Sequence, residues 1–264
     1  MKHWYWICMA SSCVDFALTP TPAGPVDHGL LPVPDELVES RVVCFRLETG
    51  GDLFAYAPDD DQEHLVTTFD LFDPIEGAFG DLASDGQTMV AVGSAGTWVW
   101  DLASDERRME AFDGEIAYVG PTWARAIAAV PDRPQDRPPP VLETYASLDD
   151  LFAERPVESR PFDRFVVSLS GDGHGGLVAH AGEGRFVMDI DPVTLERQGD
   201  TRLGRALPWR NLHRVAVTRD FFHSTESRGD RRMWGRRNGA SLAHVRDDDW
   251  PGWGLWCHDG LTPL

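Results

Sequence analysis

Apolar and polar positions alternate in short bursts along most of this chain, and the clearest burst runs from Phe79 to Arg108. Met89-Val90-Ala91-Val92 and Thr97-Trp98-Val99-Trp100 are bounded by turn residues, Asp85-Gly86 before the first run and Ser94-Ala95-Gly96 between the two. Trp, Val and Thr suit a pleated, half-buried surface, and glycine supplies the positive φ of a tight hairpin turn. The stretch therefore predicts strand, Asp-Gly turn, strand, Gly turn, strand, ending at Trp100-Asp101. Trp98 and Trp100 share one sheet face by the two-residue period, so that face is expected to be buried. The rhythm returns downstream. Leu177–Ala181 and Arg185–Ile190 flank Gly182-Glu183-Gly184, and Asp191-Pro192 closes the second run.

Recurrence at a fixed period separates a repeat fold from a set of isolated hairpins. Ile127–Val130 precedes Pro131-Asp132, Phe165–Leu169 precedes Gly171-Asp172-Gly173, and Arg214–Thr218 precedes Arg219-Asp220. Counting from Asp85, these aspartates lie 47, 40 and 48 residues apart, against about 40–45 for a four-stranded propeller blade. Val42–Leu47 before Glu48-Thr49-Gly50-Gly51 reads as an earlier, shortened unit, and Ser241–Val245 before Arg246-Asp247 as a late one. The strand, Asp-Gly turn, strand, Gly turn, strand and Trp-Asp order of Phe79–Arg108 resembles a blade of a WD-repeat β-propeller. The resemblance covers roughly residues 40 to 220. It implies an all-β chain, a five- or six-bladed β-propeller folded as one domain over 1–264, of the kind found in bacterial repeat proteins. A β-sandwich is the competing architecture.

One stretch breaks the rhythm. Residues 131–161 hold Pro131, Pro134, Pro138-Pro139-Pro140, Pro156 and Pro161, and proline cannot donate to a central ladder. A Pro-rich insertion near 131–161 is expected. Inside it Ser147 is a candidate N-cap for a short helix, with Asp149 and Asp150 at the positive helix end and Leu148, Leu151 and Phe152 on one side.

No run approaches 18 apolar residues, so no membrane span is expected. Lys2-His3, the apolar Trp4–Ala10 and Ser11-Ser12-Cys13 echo an exported lipoprotein leader in outline. The apolar run is short and aromatic, and a first β-strand is the preferred reading. Cys8, Cys13, Cys44 and Cys257 show no CxxC spacing. Nothing in their pattern demands a disulfide framework or zinc, so the default is a reducing, cytoplasmic compartment. The two ends offer a way to close a ring. Trp4–Cys8 and Gly254–His258 are each too short to be a blade alone, and the expectation is that they share a sheet or touch.

The net charge of −19 is uneven. Residues 1–104 hold 3 basic and 17 acidic residues, whereas Arg202–Arg237 holds ten arginines against Asp220, Glu226 and Asp230. Within that basic segment Trp209, Arg210, Arg228, Arg231, Arg232, Trp234, Arg236 and Arg237 form the candidate partner-binding set. Arg and Trp are enriched at protein hot spots, and Arg recognises carboxylates through two parallel hydrogen bonds. An acidic protein partner is expected; the overall negative charge disfavours nucleic acid. The bland alternative is that these arginines pair internally or stay solvated.

Other motifs resolve to structure. Gly171, Gly173 and Gly176 satisfy GxGxxG, but a strand follows them, so a hairpin turn is the reading. The acidic runs at Asp59–Glu63 and Asp247–Asp249 lack calcium-loop spacing. Nine histidines form no HExxH, and neither a GxSxG elbow nor a Walker loop occurs. Trp250, Trp253 and Trp256 read as core filling and edge sealing. No catalytic residue, metal or cofactor is assigned. The resemblance implies a non-catalytic scaffold for protein–protein interaction. The alternatives are a lactonase-like propeller hydrolase with a metal in its central channel, or a small-ligand-binding regulatory component.

Overall fold

The structure is a computed structural model that describes residues 30–38, 40, 42–48, 51–58, 62–69, 81–93, 96–112, 114–127, 139–164, 166–171, 175–181, 186–202, 212–218, 221–226, 231–236, 242–247 and 254–259. The first strands are β1 (Val42–Leu47), β2 (Asp52–Tyr56) and β3 (Glu63–Thr68). Next come β4 (Asp81–Ser84), β5 (Thr88–Gly93), β6 (Gly96–Asp101) and β7 (Arg107–Glu110). Then follow β8 (Glu115–Val119), β9 (Thr122–Ile127), β10 (Val141–Tyr145), the helix α1 (Leu148–Phe152) and β11 (Glu158–Pro161). The next four are β12 (Val166–Gly171), β13 (Leu177–Ala181), β14 (Phe186–Ile190) and β15 (Arg197–Arg202). The last are β16 (Leu212–Val217), β17 (Phe221–Glu226), β18 (Arg231–Arg236), β19 (Leu242–Asp247) and β20 (Gly254–Asp259).

Turn chemistry explains the hairpins. Between β4 and β5 the Asp85 carboxylate accepts from the Gln87 and Thr88 amides at 2.9 and 2.6 Å, while Gly86 sits at φ 88°. Between β6 and β7 the Asp101 carboxylate accepts from the Ala103 and Ser104 amides at 3.0 and 2.9 Å. The β14–β15 connection repeats that device, with Asp191 accepting from Val193 and Thr194 at 2.8 and 2.9 Å. Side chains that mimic a backbone turn fix hairpin register locally.

The described strands form five four-stranded antiparallel sheets. Four run in simple chain order: β4 to β7, β8 to β11, β12 to β15 and β16 to β19. The fifth is ordered β20-β1-β2-β3, so the last strand joins the first ones. The leading strands of consecutive sheets touch in a closed cycle, β4 to β8 to β12 to β16 to β20 and back to β4. This is an all-β propeller, and closure leaves its innermost strands without a free flank. Approach within the ring is close. A Cβ on Gly171 of β12 would lie 1.7 Å from the carbonyl oxygen of Tyr118 in β8, so only glycine fits there.

Apolar residues fill the spaces between sheets. One cluster joins Phe45, Leu47, Leu53, Phe69, Met89, Ala91, Trp100 and Trp256 across the β20-β1-β2-β3 and β4–β7 sheets. Trp100 is 7% exposed, packs edge-on to Phe69 at 6.0 Å, and donates from Nε1 to Asp105 at 2.8 Å. On the tryptophan face expected to be buried, Trp100 is buried and Trp98 is half-buried against the same cluster.

The Pro-rich stretch is more regular than expected. Residues 128–138 lie outside the described residues. The remainder supplies β10, third in the order β8-β9-β10-β11, and the outer strand β11. Prolines flank Val141–Tyr145 without entering it, and in β11 the proline, Pro161, stands only at the last position of an outer strand. The helix forms where its cap predicted, with the Asp150 amide donating to Ser147 Oγ at 3.1 Å. The aspartate at 132 does not mark the corresponding turn. The β8–β9 turn is instead Gly120-Pro121, a cis peptide bond.

Candidate functional site

Three places merit attention as sites: the inner ring, the seam where the chain ends meet, and the arginine-rich sheet. At the inner ring, polar side chains reach from one leading strand to the next. Asp81 of β4 accepts from the Leu82 amide at 3.0 Å and from the Ile116 amide of β8 at 2.7 Å. Ser168 and Ser170 of β12 accept from the Val215 and Val217 amides of β16 at 3.1 and 2.8 Å. Leading strands lack a sheet neighbour on one side, and buried amides need an acceptor. These side chains supply it. Asp81 is 2% exposed and bonded at both oxygens, which suits a structural acceptor.

The seam joins β20 to β1. Six residue pairs run in register from Val42↔Asp259 to Leu47↔Gly254, with Cys44 directly opposite Cys257. These two cysteines form a disulfide across a sequence separation of 213 residues. The expectation that the cysteine pattern demands no disulfide is corrected. Motif spacing cannot reveal a pair whose partners meet only when the ring closes. Gly254–Asp259 pairs with Val42–Leu47, and Trp4–Cys8 lies outside the described residues. Trp256 packs on Phe45 with ring centroids 5.4 Å apart, which is the core-filling role expected of it.

The β16–β19 sheet faces this seam. His223 of β17 is 3% exposed and approaches the disulfide. One ligand-capable atom from each of Cys44, His223 and Cys257 lies within 4.8 Å of the other two. Among the described residues this is the one such cluster. Neither ring nitrogen of His223 has a hydrogen-bond partner. Burial alone pushes its pKa down to about 3, so the imidazole is neutral at any ordinary pH. A buried, unsatisfied imidazole costs free energy unless something else compensates it. His223 was one of nine scattered histidines in the sequence, and only its proximity to the joined ends distinguishes it.

The arginine-rich set is distributed along one sheet. Arg231, Arg232, Trp234 and Arg236 lie on β18, the third strand in the order β16-β17-β18-β19. Trp209, Arg210, Arg228 and Arg237 lie outside the described residues. Leu212, Glu226, Arg231 and Asp247 form a register row across one end of that sheet. In the sequence Trp209 and Arg210 lead into that row, and Arg228 falls between two of its members. Arg236, next to Arg237, belongs to the opposite end. Of the remaining motifs, Gly171 and Gly176 bracket the β12–β13 hairpin, as expected.

Arginines elsewhere show how this chain uses them. Arg46 is 3% exposed and lies 2.9 Å from Glu48 and 2.7 Å from Glu63. Arg125 reaches Glu154 at 3.2 Å and stacks 4.5 Å over Phe112. Arg160 of β11 bonds Glu196 at 2.9 Å, tying one sheet to the next. Each is a side chain held by an acidic neighbour within the propeller.

No family model matches this chain, and no curated protein matches it. Solved structures do resemble it. A chain from the crystal structure of a nidogen/laminin complex aligns with a TM-score of 0.50 and 12% identity, over 83% of this chain and 81% of that one. A chain from the crystal structure of a mitotic checkpoint complex aligns with a TM-score of 0.40 and 12% identity, over 79% of this chain and 61% of that one. At this identity the first likeness concerns the fold alone, and it agrees with a WD-repeat-like β-propeller. No helix among the described residues is long and apolar enough to cross a membrane.

Proposed function

We propose that this protein is a non-catalytic propeller scaffold that holds an acidic protein partner. The observation that carries the reading is the use made of polar groups at the inner ring. Asp81, Ser168 and Ser170 all accept from backbone amides, so they serve ring closure. A propeller hydrolase would need carboxylates or histidines converging on a metal at that place. Among the described residues the metal-capable cluster lies between two sheets at the seam instead. Function on such a fold resides in a surface rather than in the architecture itself.

The surface we assign is the end of the β16–β19 sheet marked by the row Leu212, Glu226, Arg231 and Asp247, which Trp209, Arg210 and Arg228 adjoin in the sequence. Arg and Trp together provide charge recognition and a large apolar contact. The set of eight thus divides, with Arg236 at the other end of the sheet and Arg237 next to it in the sequence. The nidogen/laminin neighbour was solved as a complex, which fits a propeller presenting a binding face.

The test is capture of a partner from an extract of the native source. The Arg210→Glu/Arg228→Glu protein should lose a partner that wild type retains, while Arg237→Glu should keep it. Equal capture by all three would remove the surface from consideration. Tight, salt-sensitive binding of wild type to random duplex DNA would replace the protein partner with nucleic acid. The compartment is part of the same reading. A disulfide persists under oxidising conditions, and a reducing compartment would hold Cys44 and Cys257 as thiols beside His223.

A further inference from the structure

We infer that the seam is a redox-gated metal site, in which Cys44, Cys257 and His223 bind one zinc ion when the disulfide is reduced. Two independent observations meet there. The first is the mutual proximity of the three ligand atoms, all within 4.8 Å. The second is that His223 is buried in an apolar setting with neither ring nitrogen hydrogen-bonded. An ordinary core histidine satisfies at least one nitrogen. An imidazole that faces a cysteine pair with its lone pair unused is placed as a ligand would be.

Position favours the same conclusion. Cys44 and Cys257 are register partners on adjacent antiparallel strands, with Cα atoms 4.0 Å apart. Their side chains project on one face, toward the β16–β19 sheet that carries His223. Once unbonded, the two sulfurs can separate to about 3.8 Å, the spacing set by Zn–S bonds of about 2.3 Å at a tetrahedral ion. The strands need not move apart for this, because χ1 rotation alone spreads the sulfurs.

Charge selects the ion. Two thiolates and a neutral imidazole around a divalent cation sum to zero, which a buried site tolerates. A monovalent soft cation would leave a net negative charge among Tyr56, Ala216 and Leu255, the residues that line this interface. Thiolate and imidazole are borderline-to-soft donors and exclude calcium and magnesium. Zinc is therefore the expected occupant. Three protein ligands leave its fourth position to a neutral donor.

The chemistry balances in two steps. A dithiol reductant supplies two electrons and two protons to the Cys44–Cys257 bond; the S–S bond breaks, two thiols form, and the reductant becomes a disulfide. Zinc then displaces the two thiol protons, forming two Zn–S bonds and one Zn–N bond to His223, with two protons released to solvent. In either state a covalent or coordinate link spans β1 and β20. In the oxidised ring that link is the Cys44–Cys257 bond. The reduced ring is closed by metal, and that link additionally draws in the neighbouring β16–β19 sheet.

The test uses the full chain with Cys8 and Cys13 changed to serine, so that only the seam cysteines remain. After reduction with a dithiol and removal of excess reagent, zinc should bind at one ion per chain, and cobalt(II) should give thiolate-to-metal charge-transfer absorption. The oxidised protein should bind none. Zinc should also shield Cys44 and Cys257 from an alkylating reagent, read peptide by peptide by mass spectrometry. This needs no seam variant that might fail to fold. His223→Gln should weaken zinc binding at least about tenfold while leaving the oxidised protein folded. The inference is overturned if reduced, folded protein binds no zinc, or if zinc leaves both cysteines freely alkylated. Unchanged affinity in His223→Gln would remove the histidine from the site and overturn the three-ligand assignment.

Discussion

The β4–β7 sheet and the β20-β1-β2-β3 sheet have the same strand number and pairing but are assembled in opposite ways. The first is continuous over Asp81–Glu110, and each hairpin is shaped by a turn a few residues long. The second brings Gly254–Asp259 to Val42–Leu47 across nearly the whole chain. No local turn can set its register. Six paired positions, the Phe45–Trp256 contact and the Cys44–Cys257 bond do so. Joining residues so far apart removes much denatured-state freedom, on the order of 5 kcal/mol in the chain-entropy treatment. Where local chemistry is absent, a long-range covalent link stands in for it.

The comparison breaks most sharply if the chain can do without its seam. Ending the chain before Gly254 would strip β1 of its β20 partner and bare the flanks of β4 and β16. Exposed flat strands aggregate, so this truncation should abolish soluble, cooperatively melting protein. Soluble protein with an unchanged β-type circular dichroism spectrum would show that closure is dispensable.

The next effect belongs to the continuous sheet. Trp100→Ala deletes a large side chain from the cluster it shares with Phe69, and strips Arg107 of the ring it covers at 4.5 Å. A loss of about 3–5 kcal/mol in denaturant unfolding is expected. A loss below about 1 kcal/mol would mean that this face contributes little to joining the sheets.

These two regions also explain what could be read from the sequence. Asp85-Gly86, the Thr97–Asp101 alternation and the Ser147 cap act within a few residues, and each appears in the structure as expected. The seam depends on residues 213 apart, and neither Cys44 nor Cys257 carries a local mark. The N-terminal run Trp4–Cys8 reads as a closing strand because it is apolar and near an end. Val42–Leu47, which reads as a blade strand, pairs with β20, while Trp4–Cys8 lies outside the described residues. Another signal was legible and overlooked. Asp101-Leu102-Ala103-Ser104-Asp105-Glu106 and Asp191-Pro192-Val193-Thr194-Leu195-Glu196 make the same turn. In both, the aspartate amide donates to the glutamate carbonyl, and the fifth residue has positive φ. The inner-ring roles of Asp81, Ser168 and Ser170 were not legible, because they require knowing which strands become neighbours.

Acidity should separate the regions further. His223 has an ordinary value near 6.5 when exposed and about 3 in the folded seam. Above pH 6.5 both states leave it neutral and its contribution is constant. As pH falls below 6.5 the unfolded chain takes up a proton that the folded chain refuses. Stability then declines by about 1.4 kcal/mol per pH unit until the folded value is reached. Between pH 7 and 5 the oxidised wild type should therefore lose about 2 kcal/mol more than His223→Gln. Parallel curves would show that the imidazole is not held neutral at the seam.

The smallest effect tests whether local and long-range assembly are separate at all. Asp101 is exposed, and its pKa is lowered chiefly by the Ser104 amide it accepts from. Asp191 is lowered chiefly by the Thr194 amide in the matching turn. Both depressed values mean that the carboxylates stabilise the fold above the ordinary value of 3.8, and that this is lost as pH drops through the lower folded values. Asp101→Ala should lower the melting temperature at pH 7, and Asp101→Asn should recover part of it, since the amide oxygen still accepts. Asp191→Ala should behave alike, and the two losses should add because the turns lie in different sheets. The informative comparison is between oxidised and reduced protein. If hairpin turns act locally, the shift caused by Asp101→Ala is the same whether or not Cys44 and Cys257 are bonded. A shift that grows on reduction would mean that the seam holds the β4–β7 sheet in register as well, and that its turns are weaker determinants than their hydrogen bonds imply.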